Sequence, residues 1–306
     1  MSTKAQLDID GTKVDVSNLD KVFYPKTGFT KGQIIDFYVN ASPVLLPHLK
    51  DRPITLKRYP NGVDGFFFYE RNCPPHRPKW IKTADAPRSE GGEVHYCVMD
   101  TLPALIWAAN LADLELHTFL HKAPAFGRPT AIAFDLDPGP PANIVLCCEI
   151  ALKLKEVLSR HKLESFPKTS GSKGLQLFVP LNTPATYAQT KTFAHTMAET
   201  LEQEFPNIVV SKMQKALRPG KVLVDWSQND AHKTTVCAYS LRAKDHPTVS
   251  TPVLWDEVEL TQKKGDAKLL SFESNAVLKR VDKHGDLFAP VLELKQKLPA
   301  TKTGAA

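Results

Sequence analysis

The chain has 306 residues, of which 42% are hydrophobic and 24% charged, and it carries a formal net charge of +6 at pH 7. This composition is ordinary for a globular protein with a sizeable core, and it contains neither a signal peptide nor an apolar run long enough for a membrane span. The positive charge mildly favours a polyanionic partner.

The cysteines are odd in number and form no CxxC pair, which argues against a zinc site and against a disulfide framework. We therefore expect buried or idle thiols in a reducing cytosol. The five cysteines are Cys73, Cys97, Cys147, Cys148 and Cys237.

In the first part of the chain, a short strand is followed by turn-rich residues and then by an amphipathic helix. Thr30 is the expected N-cap of this helix, whose apolar residues recur at helical spacing up to Ala41. A Pro60-Asn61-Gly62 turn separates two strand-like runs. The other predicted elements here are strands at Lys13–Val16, Ile54–Tyr59, Gly65–Glu70 and Val94–Met99, an exposed loop at Arg88–Gly92 and a short buried helix at Leu102–Leu111.

The middle of the chain alternates more clearly between strands and helices, without the regular rhythm of a doubly wound sheet. We predict an α/β (α+β) fold with mixed or antiparallel sheets flanked by helices. The predicted strands are Ala131–Leu136, Leu175–Val179, Ile208–Val210, Val222–Trp226 and Val236–Tyr239; the predicted helices run from Asn143 to about His161, over Thr186–Glu204 and near Phe288–Leu298, before a disordered tail at Thr301–Ala306.

Two aspartates lie at the end of the strand-like run Ala131–Leu136, where the sequence reads Asp135-Leu136-Asp137-Pro138-Gly139. Residues i and i+2 of a strand point to the same face, so the two carboxylates should converge. Paired carboxylates repel unless a cation lies between them, and oxygen-only ligands suit Mg²⁺ or Mn²⁺. An isolated DxD is common by chance, but Asp225, after a second apolar strand run, would complete a two-metal site.

A glycine-rich basic loop, Lys168-Thr169-Ser170-Gly171-Ser172-Lys173-Gly174, lies between a helix and a strand. Its backbone N–H groups could approach phosphate oxygens, although an ordinary turn is equally compatible with this pattern. Basic and aromatic residues also alternate near Lys57 and from Phe66 to Arg71, as in surfaces that stack bases, though at least half of these rings should belong to the core. Neither a P-loop nor a dinucleotide fingerprint is present.

Taken together in chain order, the motifs resemble those of the polymerase domain of bacterial ATP-dependent DNA ligase D, which belongs to the archaeo-eukaryotic primase superfamily. The resemblance runs from about Val14 to Val258. It rests on Asn18-Leu-Asp-Lys-Val-Phe-Tyr-Pro, Arg52-Pro-Ile-Thr-Leu-Lys-Arg-Tyr-Pro-Asn-Gly, Leu116-His117, Phe134-Asp-Leu-Asp-Pro-Gly, Thr169-Ser-Gly-Ser-Lys-Gly-Leu, Val224-Asp-Trp and Tyr239-Ser-Leu-Arg-Ala.

The resemblance implies a primase-like core in a single domain over residues 1–300, with a DNA-end-binding part at about 1–100 and a catalytic core at about 101–260. It also implies a template-directed nucleotidyltransferase that fills gaps and extends primer ends at double-strand breaks in non-homologous end joining. A ribonucleotide preference, two Mn²⁺ or Mg²⁺ ions, NTP or dNTP substrates and gapped DNA with a 5′-phosphate belong to this expectation. So do a Ku-like end-binding protein, a separate DNA ligase and a cytoplasmic, nucleoid-associated location.

Residue roles follow from the same resemblance. Asp135, Asp137 and Asp225 match the catalytic metal ligands. His117, Ser170, Ser172, Lys173 and Arg242 match residues that hold the incoming nucleotide. The expected DNA contacts are Lys21 and Lys31 at the 5′-phosphate, Lys57, Phe68 and Tyr69 at the template, and Arg218 in a loop that orders the DNA end.

The sequence departs from the family at Gln176, where the family has histidine, and at Phe119, where it has tryptophan. Glutamine cannot carry a charge at neutral pH, so weaker nucleotide binding is expected if that histidine contacts triphosphate. Three alternatives remain open: a stand-alone primase or primase-polymerase, a non-catalytic DNA-end bridging module, and a DxD glycosyltransferase. The carboxylate trio argues against the bridging module, and the 5′-phosphate residues argue against the glycosyltransferase.

Overall fold

The structure is a computed structural model that describes residues 4–87 and 90–299. The first two residues of the predicted loop Arg88–Gly92, and the predicted tail Thr301–Ala306, lie outside the described residues. Within the described part of the chain, no helix is long and apolar enough to cross a lipid bilayer.

The strands, in chain order, are β1 (Lys4–Ile9), β2 (Thr12–Ser17), β3 (Val22–Tyr24), β4 (Phe29–Thr30), β5 (Pro53–Arg58), β6 (Phe68–Glu70), β7 (Lys82–Pro87), β8 (Glu93–Val98), β9 (Asp113–Thr118), β10 (Ala131–Pro138), β11 (Phe166–Thr169), β12 (Leu175–Pro180), β13 (Val209–Val210), β14 (Val222–Asp225) and β15 (Thr235–Val236). The α-helices are α1 (Lys31–Leu49), α2 (Leu102–Asn110), α3 (Ile144–Arg160), α4 (Tyr187–Glu204), α5 (Trp255–Lys264), α6 (Ser274–His284) and α7 (Pro290–Glu293).

These elements form two compact units, each assembled from separate segments of the chain. Unit 1 comprises the chain up to Pro124, Thr234–Thr251 and Phe272–Asp286. Unit 2 comprises Ala125–Lys233, Pro252–Ser271 and the segment from Leu287 onwards. The division into one domain with an N-terminal part and a catalytic core stays a prediction.

Unit 1 is built on an antiparallel sheet with the strand order β15-β9-β5-β8-β7, in which β6 also pairs with β5. Helix α1 begins as predicted, because Thr30 and Gln33 form a reciprocal capping box at its first turn. Its buried Tyr38 donates from the hydroxyl to the Leu114 carbonyl of β9 at 2.7 Å. The helix is thereby held against the strand that carries His117.

Unit 2 is built on a five-stranded sheet with the order β11-β12-β10-β14-β13, antiparallel except for the β13–β14 pair. Helix α3 begins at the predicted N-cap Asn143 and contacts β10 and β12. After β14 the buried Asn229 accepts a hydrogen bond from the Ala133 N–H and donates one to the Ala133 carbonyl. This exchange fixes the end of β14 beside β10.

The predicted fold class, α/β (α+β) with mixed and antiparallel sheets, is confirmed. Eight of the strands and α-helices given above were not predicted from the sequence: β1, β3, β4, β7, β9, β11, α5 and α6. Helix α5, for example, buries only Val258 and Thr261, so its apolar stripe is too weak for the periodicity to detect. The predicted helix near Phe288–Leu298 contains only the single turn of α7.

The expectation that all five cysteines are idle thiols is wrong. Cys73 and Cys97 are joined by a disulfide, with their Cα atoms 4.8 Å apart. The Cys73 N–H donates to the His95 carbonyl, which lays the segment after β6 along β8 and brings the two sulfurs together. The remaining cysteines, Cys147, Cys148 and Cys237, are buried thiols outside the disulfide, as expected.

Candidate active site

The three predicted aspartates lie on adjacent antiparallel strands of unit 2. Asp135 of β10 is directly opposite Asp225 of β14 in the strand register. Asp137 is two residues further along β10, so it lies on the same face of the sheet as Asp135. The convergence inferred from the spacing of the DxD motif is therefore present in the fold.

The electrostatics of this cluster are those of carboxylates crowded together. Burial, reinforced by the neighbouring charges of Asp225 and Asp137, raises the pKa of Asp135 to about 6. Asp225 accepts hydrogen bonds from the Ser227 N–H at 2.8 Å and the Gln228 amide at 3.2 Å. A hard divalent cation would relieve the repulsion, and the oxygen-only donor set fits such an ion.

Asp137 directs its two carboxylate oxygens at cationic side chains. Its Oδ1 lies 3.0 Å from Lys173 Nζ, and its Oδ2 lies 3.5 Å from Arg218 Nη1. Within residues 4–87 and 90–299, no group of three or more His, Cys, Asp or Glu side chains is arranged to hold a metal ion. An ion bound by the trio would therefore have to replace the contacts that Asp137 makes with Lys173 and Arg218.

The glycine-rich loop is closed by its own backbone. Ser170 Oγ accepts hydrogen bonds from the N–H groups of Ser172 and Gly174, and the Ser170 N–H donates to the Gly174 carbonyl. A Cβ atom on Gly174 would lie 2.2 Å from the Leu136 carbonyl oxygen, so only glycine allows this approach to β10. The loop thereby presents Lys173, which is largely exposed, to Asp137.

Gln176, the departure from the family pattern, lies between Asp135 and a buried lysine. In the strand register Gln176 of β12 is opposite both Asp135 of β10 and Lys168 of β11. Lys168 Nζ donates to Gln176 Oε1 at 2.5 Å, and the Gln176 side chain hydrogen-bonds Asp135. The sequence did not predict this contact, because β11 was not recognised as a strand.

In unit 1, several predicted binding residues converge on a glutamate that the sequence did not single out. Glu115 of β9 is almost fully buried, and its Oε2 lies 2.9 Å from His117 Nε2, 3.1 Å from Lys57 Nζ and 3.4 Å from Arg242 Nε. The Ala243 N–H donates to its other oxygen at 3.0 Å. Glu115 therefore holds three side chains in place on one face of the sheet.

The pKa values of this cluster reflect both burial and neighbouring charge. Burial alone would raise the pKa of Glu115, but the hydrogen bond from His117 and the charges of Arg242 and Lys57 outweigh it and lower the pKa. Burial lowers the pKa of His117 from its usual value. Glu115 is thus ionised and His117 neutral at pH 7.

The aromatic residues after the Pro60–Gly62 turn surround Lys57. Its Nζ lies 4.9 Å from the centre of the Phe67 ring and 5.6 Å from that of Tyr69. Tyr69 is 56% exposed, and its ring also makes an edge contact with His117. Phe68, which was predicted to share the template contact, lies on the opposite face of β6 from Tyr69 and packs against Arg58.

The two lysines of the predicted 5′-phosphate site belong to unit 1. Lys31 is buried, and its Nζ donates to the Ser17 carbonyl at 2.8 Å. The exposed Lys21 donates to the Pro60 carbonyl at 2.6 Å. Burial, together with repulsion from the positive charge of Lys21, lowers the pKa of Lys31 to about 8.

The structure therefore divides the predicted site residues between the two units. Asp135, Asp137, Asp225, Ser170, Ser172, Lys173, Gln176 and Arg218 belong to unit 2. His117, Arg242, Lys57, Phe68, Tyr69, Lys21 and Lys31 belong to unit 1. A signal for the missed Glu115 was present in the sequence: a carboxylate two residues before His117 in an otherwise apolar run.

Comparison with known proteins gives consistent matches. The family described as "LigD, primase-polymerase domain" matches residues 30–288. The Multifunctional non-homologous end joining protein LigD of Mycolicibacterium smegmatis is 41% identical over 281 residues, which are 91% of this chain and 36% of that protein. The Bifunctional non-homologous end joining protein LigD of Bacillus subtilis is 31% identical over 274 residues, which are 89% of this chain and 43% of that protein.

A solved structure is also similar. The polymerase domain from Mycobacterium tuberculosis Ligase D, in complex with DNA, superposes with a TM-score of 0.85 at 39% identity. The match covers 92% of this chain and 98% of that one. The chain thus spans nearly all of a polymerase domain, but only about a third of the length of the curated mycobacterial relatives.

Proposed function

The chain belongs to the LigD primase-polymerase domain family of nucleotidyltransferases, and we propose that it is a metal-dependent, template-directed enzyme that fills gaps and extends primer ends. The observation that carries this proposal is the set of three carboxylates on β10 and β14, with Asp135 opposite Asp225 and Asp137 on the same face. The loop that ends at Gly174 places Lys173 Nζ 3.0 Å from Asp137 Oδ1.

The metal ligands in this proposal are Asp135, Asp137 and Asp225. Two Mn²⁺ or Mg²⁺ ions bound there would activate a primer 3′-hydroxyl and stabilise the charge that develops on the triphosphate. The Ser227 N–H and the Gln228 amide fix Asp225, while Lys173 and Arg218 balance the charge of Asp137 and would give way to an ion there.

Nucleotide contacts are proposed for each unit by itself. Ser170, Ser172 and Lys173 are the proposed contacts to phosphate oxygens. Ser172 and Lys173 are exposed on the loop, whereas Ser170 is buried and its Oγ accepts two backbone hydrogen bonds. His117 and Arg242 would contribute from the unit 1 cluster, where Glu115 fixes their positions. His117 is a neutral hydrogen-bonding group there, and Arg242 supplies the charge that a triphosphate requires.

For DNA, we propose that Lys57 and Tyr69 contact the template strand, while Lys21 and Lys31 bind the 5′-phosphate on the downstream side of a gap. An exposed ring beside an ammonium group is the combination that stacks a base and neutralises a phosphate. Phe68 and Arg218 remain proposed DNA contacts, although Phe68 faces away from Tyr69. Ribonucleotide preference is part of the same proposal.

The cellular role proposed is double-strand-break repair by non-homologous end joining, the process that gives the curated relatives their names. A Ku-like end-binding protein and a DNA ligase activity would cooperate with the chain, at a cytoplasmic, nucleoid-associated location.

The testing experiment is nucleotide addition to a labelled, 5′-phosphorylated gapped duplex with Mn²⁺ and either NTPs or dNTPs. We expect template-matched addition by the wild type and none by Asp137→Ala, with DNA binding retained because phosphate contacts come from other residues. The matched control is Asp230→Ala, which removes a carboxylate paired with Lys191 in the same unit. Absence of addition by the wild type, with tight binding to the gap, would instead support a bridging module.

A further inference from the structure

Four polar side chains form a row across unit 2. Lys168 of β11, Gln176 of β12, Asp135 of β10 and Asp225 of β14 are successive partners in the strand register. Residues directly opposite on adjacent antiparallel strands project to the same face, where their side chains meet. The row therefore connects a lysine in the core to the carboxylates of the proposed metal site.

Lys168 is an unusual residue for its position. It is fully buried, with 0% of its surface exposed, and its Nζ lies over the Phe178 ring, 5.5 Å from the ring centre. A buried ammonium group is costly unless hydrogen bonds compensate it. Its Nζ donates to Gln176 Oε1 at 2.5 Å, in a short charge-assisted hydrogen bond.

This bond determines which end of the Gln176 amide faces Asp135. An ammonium group has donors only, so it fixes Oε1 towards Lys168. An ionised carboxylate can only accept, so the hydrogen bond between Gln176 and Asp135 uses the Gln176 Nε2 donor. Without Lys168 the amide could rotate by 180° and turn its oxygen towards Asp135.

We propose that Lys168 and Gln176 act as a positioning pair for Asp135, in which the lysine supplies the charge and the fixed donor direction that histidine would combine at position 176. This inference rests on the proposed function, since it assigns Asp135 to metal binding. Lys168 is a positioning residue, because it acts on the carboxylate through Gln176. Groups that orient a metal ligand typically change metal affinity or activity by about 10–100-fold.

The first test is direct Mn²⁺ binding to the full chain, followed by the electron paramagnetic resonance signal of free Mn²⁺. Lys168→Met keeps most of the length of the side chain but removes the ammonium group, and with it the donor to Gln176 and the charge over the Phe178 ring. We expect Mn²⁺ affinity to fall about tenfold. Loss of a positive charge alone would strengthen cation binding, so unchanged or tighter binding by this variant would overturn the proposal.

Lys191→Met is the matched control. It removes a partly exposed lysine of the same unit, which is paired with Asp230, and it should leave Mn²⁺ affinity unchanged. Urea denaturation of each variant shows whether the fold is intact, and Lys168→Met should remain folded because a Met side chain suits an apolar position. An equal loss of affinity in Lys191→Met would also contradict the proposal.

The second test exchanges the partner. With Lys168 present, Gln176→His places an imidazole against an ammonium group, so we expect Mn²⁺ affinity to fall rather than rise. In the double variant Lys168→Met/Gln176→His, the imidazole can donate to Asp135 without this repulsion and should restore the affinity. Additive losses in the double variant would show that the two residues do not act as a pair.

These outcomes are separable from the fate of the proposed function. If the wild type adds no nucleotides but Lys168→Met still lowers the Mn²⁺ affinity, the polymerase activity is rejected and the positioning pair is retained. If the wild type adds nucleotides but Lys168→Met changes neither the Mn²⁺ affinity nor the KM for Mn²⁺, the polymerase activity is retained and the positioning pair is rejected.

Discussion

Asp135 and Asp225 face each other across β10 and β14, and their carboxylates share a site that burial has partly separated from water. Repulsion between the two carboxylates destabilises the folded state when no cation compensates their charges. Burial and the two neighbouring carboxylates raise the pKa of Asp135 to about 6 from the model-peptide value of 3.8. The consequence for stability depends on pH.

The first prediction concerns Asp135→Asn. A carboxyl group whose pKa is raised by folding favours the folded state most below its unfolded pKa, and this contribution is lost as pH rises through about 6. The neutral amide should therefore stabilise the protein at pH 8 without added metal, by at most about 3 kcal/mol, and by clearly less at pH 5. Urea denaturation at the two pH values measures this, and an equal gain at both would contradict it.

The second prediction concerns Glu115→Gln. The variant keeps the shape of the side chain but leaves Lys57 and Arg242 without their carboxylate, which should cost about 3 kcal/mol of unfolding free energy at pH 7. Because the folded-state pKa of Glu115 is lowered, its contribution is present above its usual value and is lost as pH falls through the folded pKa. The difference in unfolding free energy between the variant and the wild type should therefore become smaller at acidic pH.

The same variant should affect function through the side chains that Glu115 holds. We expect a higher KM for the incoming nucleotide, because His117 and Arg242 lose their common anchor. Glu70→Gln serves as the control, since it removes a carboxylate paired with Arg58 in the same sheet. Steady-state kinetics with a gapped duplex compare the two, and an equal KM change in both would argue against a specific role for Glu115.

The contrast between Asp137 and Glu115 shows what a sequence can reveal about such a site. The Asp135–Asp137 pair depends on strand alternation, which is a local property, and its spacing predicted the convergence correctly. The role of Glu115 depends on Lys57 and Arg242, which are 58 and 127 residues away and reach it only through the sheet and the segment after β15. No local pattern contains that information.

A similar limit applies to Lys168 and to the last third of the chain. Strand β11 has only four residues and includes a buried lysine. Sequence patterns assign lysine to exposed positions, so they do not indicate a strand here. Helix α6 buries only Ser274 and Val277, so its stability depends on contact with α1. Both β11 and α6 are held mainly by tertiary contacts, which local sequence patterns do not contain.

The third prediction separates the two adjacent aromatic residues of β6. Tyr69 is exposed beside Lys57, whereas Phe68 lies on the other face against Arg58. If Tyr69 stacks on a template base, Tyr69→Ala should weaken binding to a gapped duplex about tenfold with little loss of stability. Phe68→Ala should mainly lower stability. Fluorescence anisotropy and urea denaturation distinguish them, and a larger binding defect in Phe68→Ala would assign the template contact to the opposite face.

The fourth prediction follows from the lowered pKa of Lys31. Burial and the charge of Lys21 bring this pKa to about 8, so Lys31 is charged at pH 7 and largely neutral at pH 9. A terminal phosphate is already fully ionised over this range, since its second pKa is about 6. The preference for a 5′-phosphorylated over a 5′-hydroxyl gap should therefore weaken from pH 7 to pH 9.

The measurement is the ratio of the two dissociation constants, determined by fluorescence anisotropy at each pH. Lys31→Met should show little preference at either pH while still extending a simple primer, because the 5′-phosphate contact is separate from the chemistry. Lys4→Met, which removes an exposed lysine from β1 in the same unit, is the control and should keep both the preference and its pH dependence. A preference that persists in Lys31→Met with the same decline at pH 9 would show that another group binds the phosphate and titrates there.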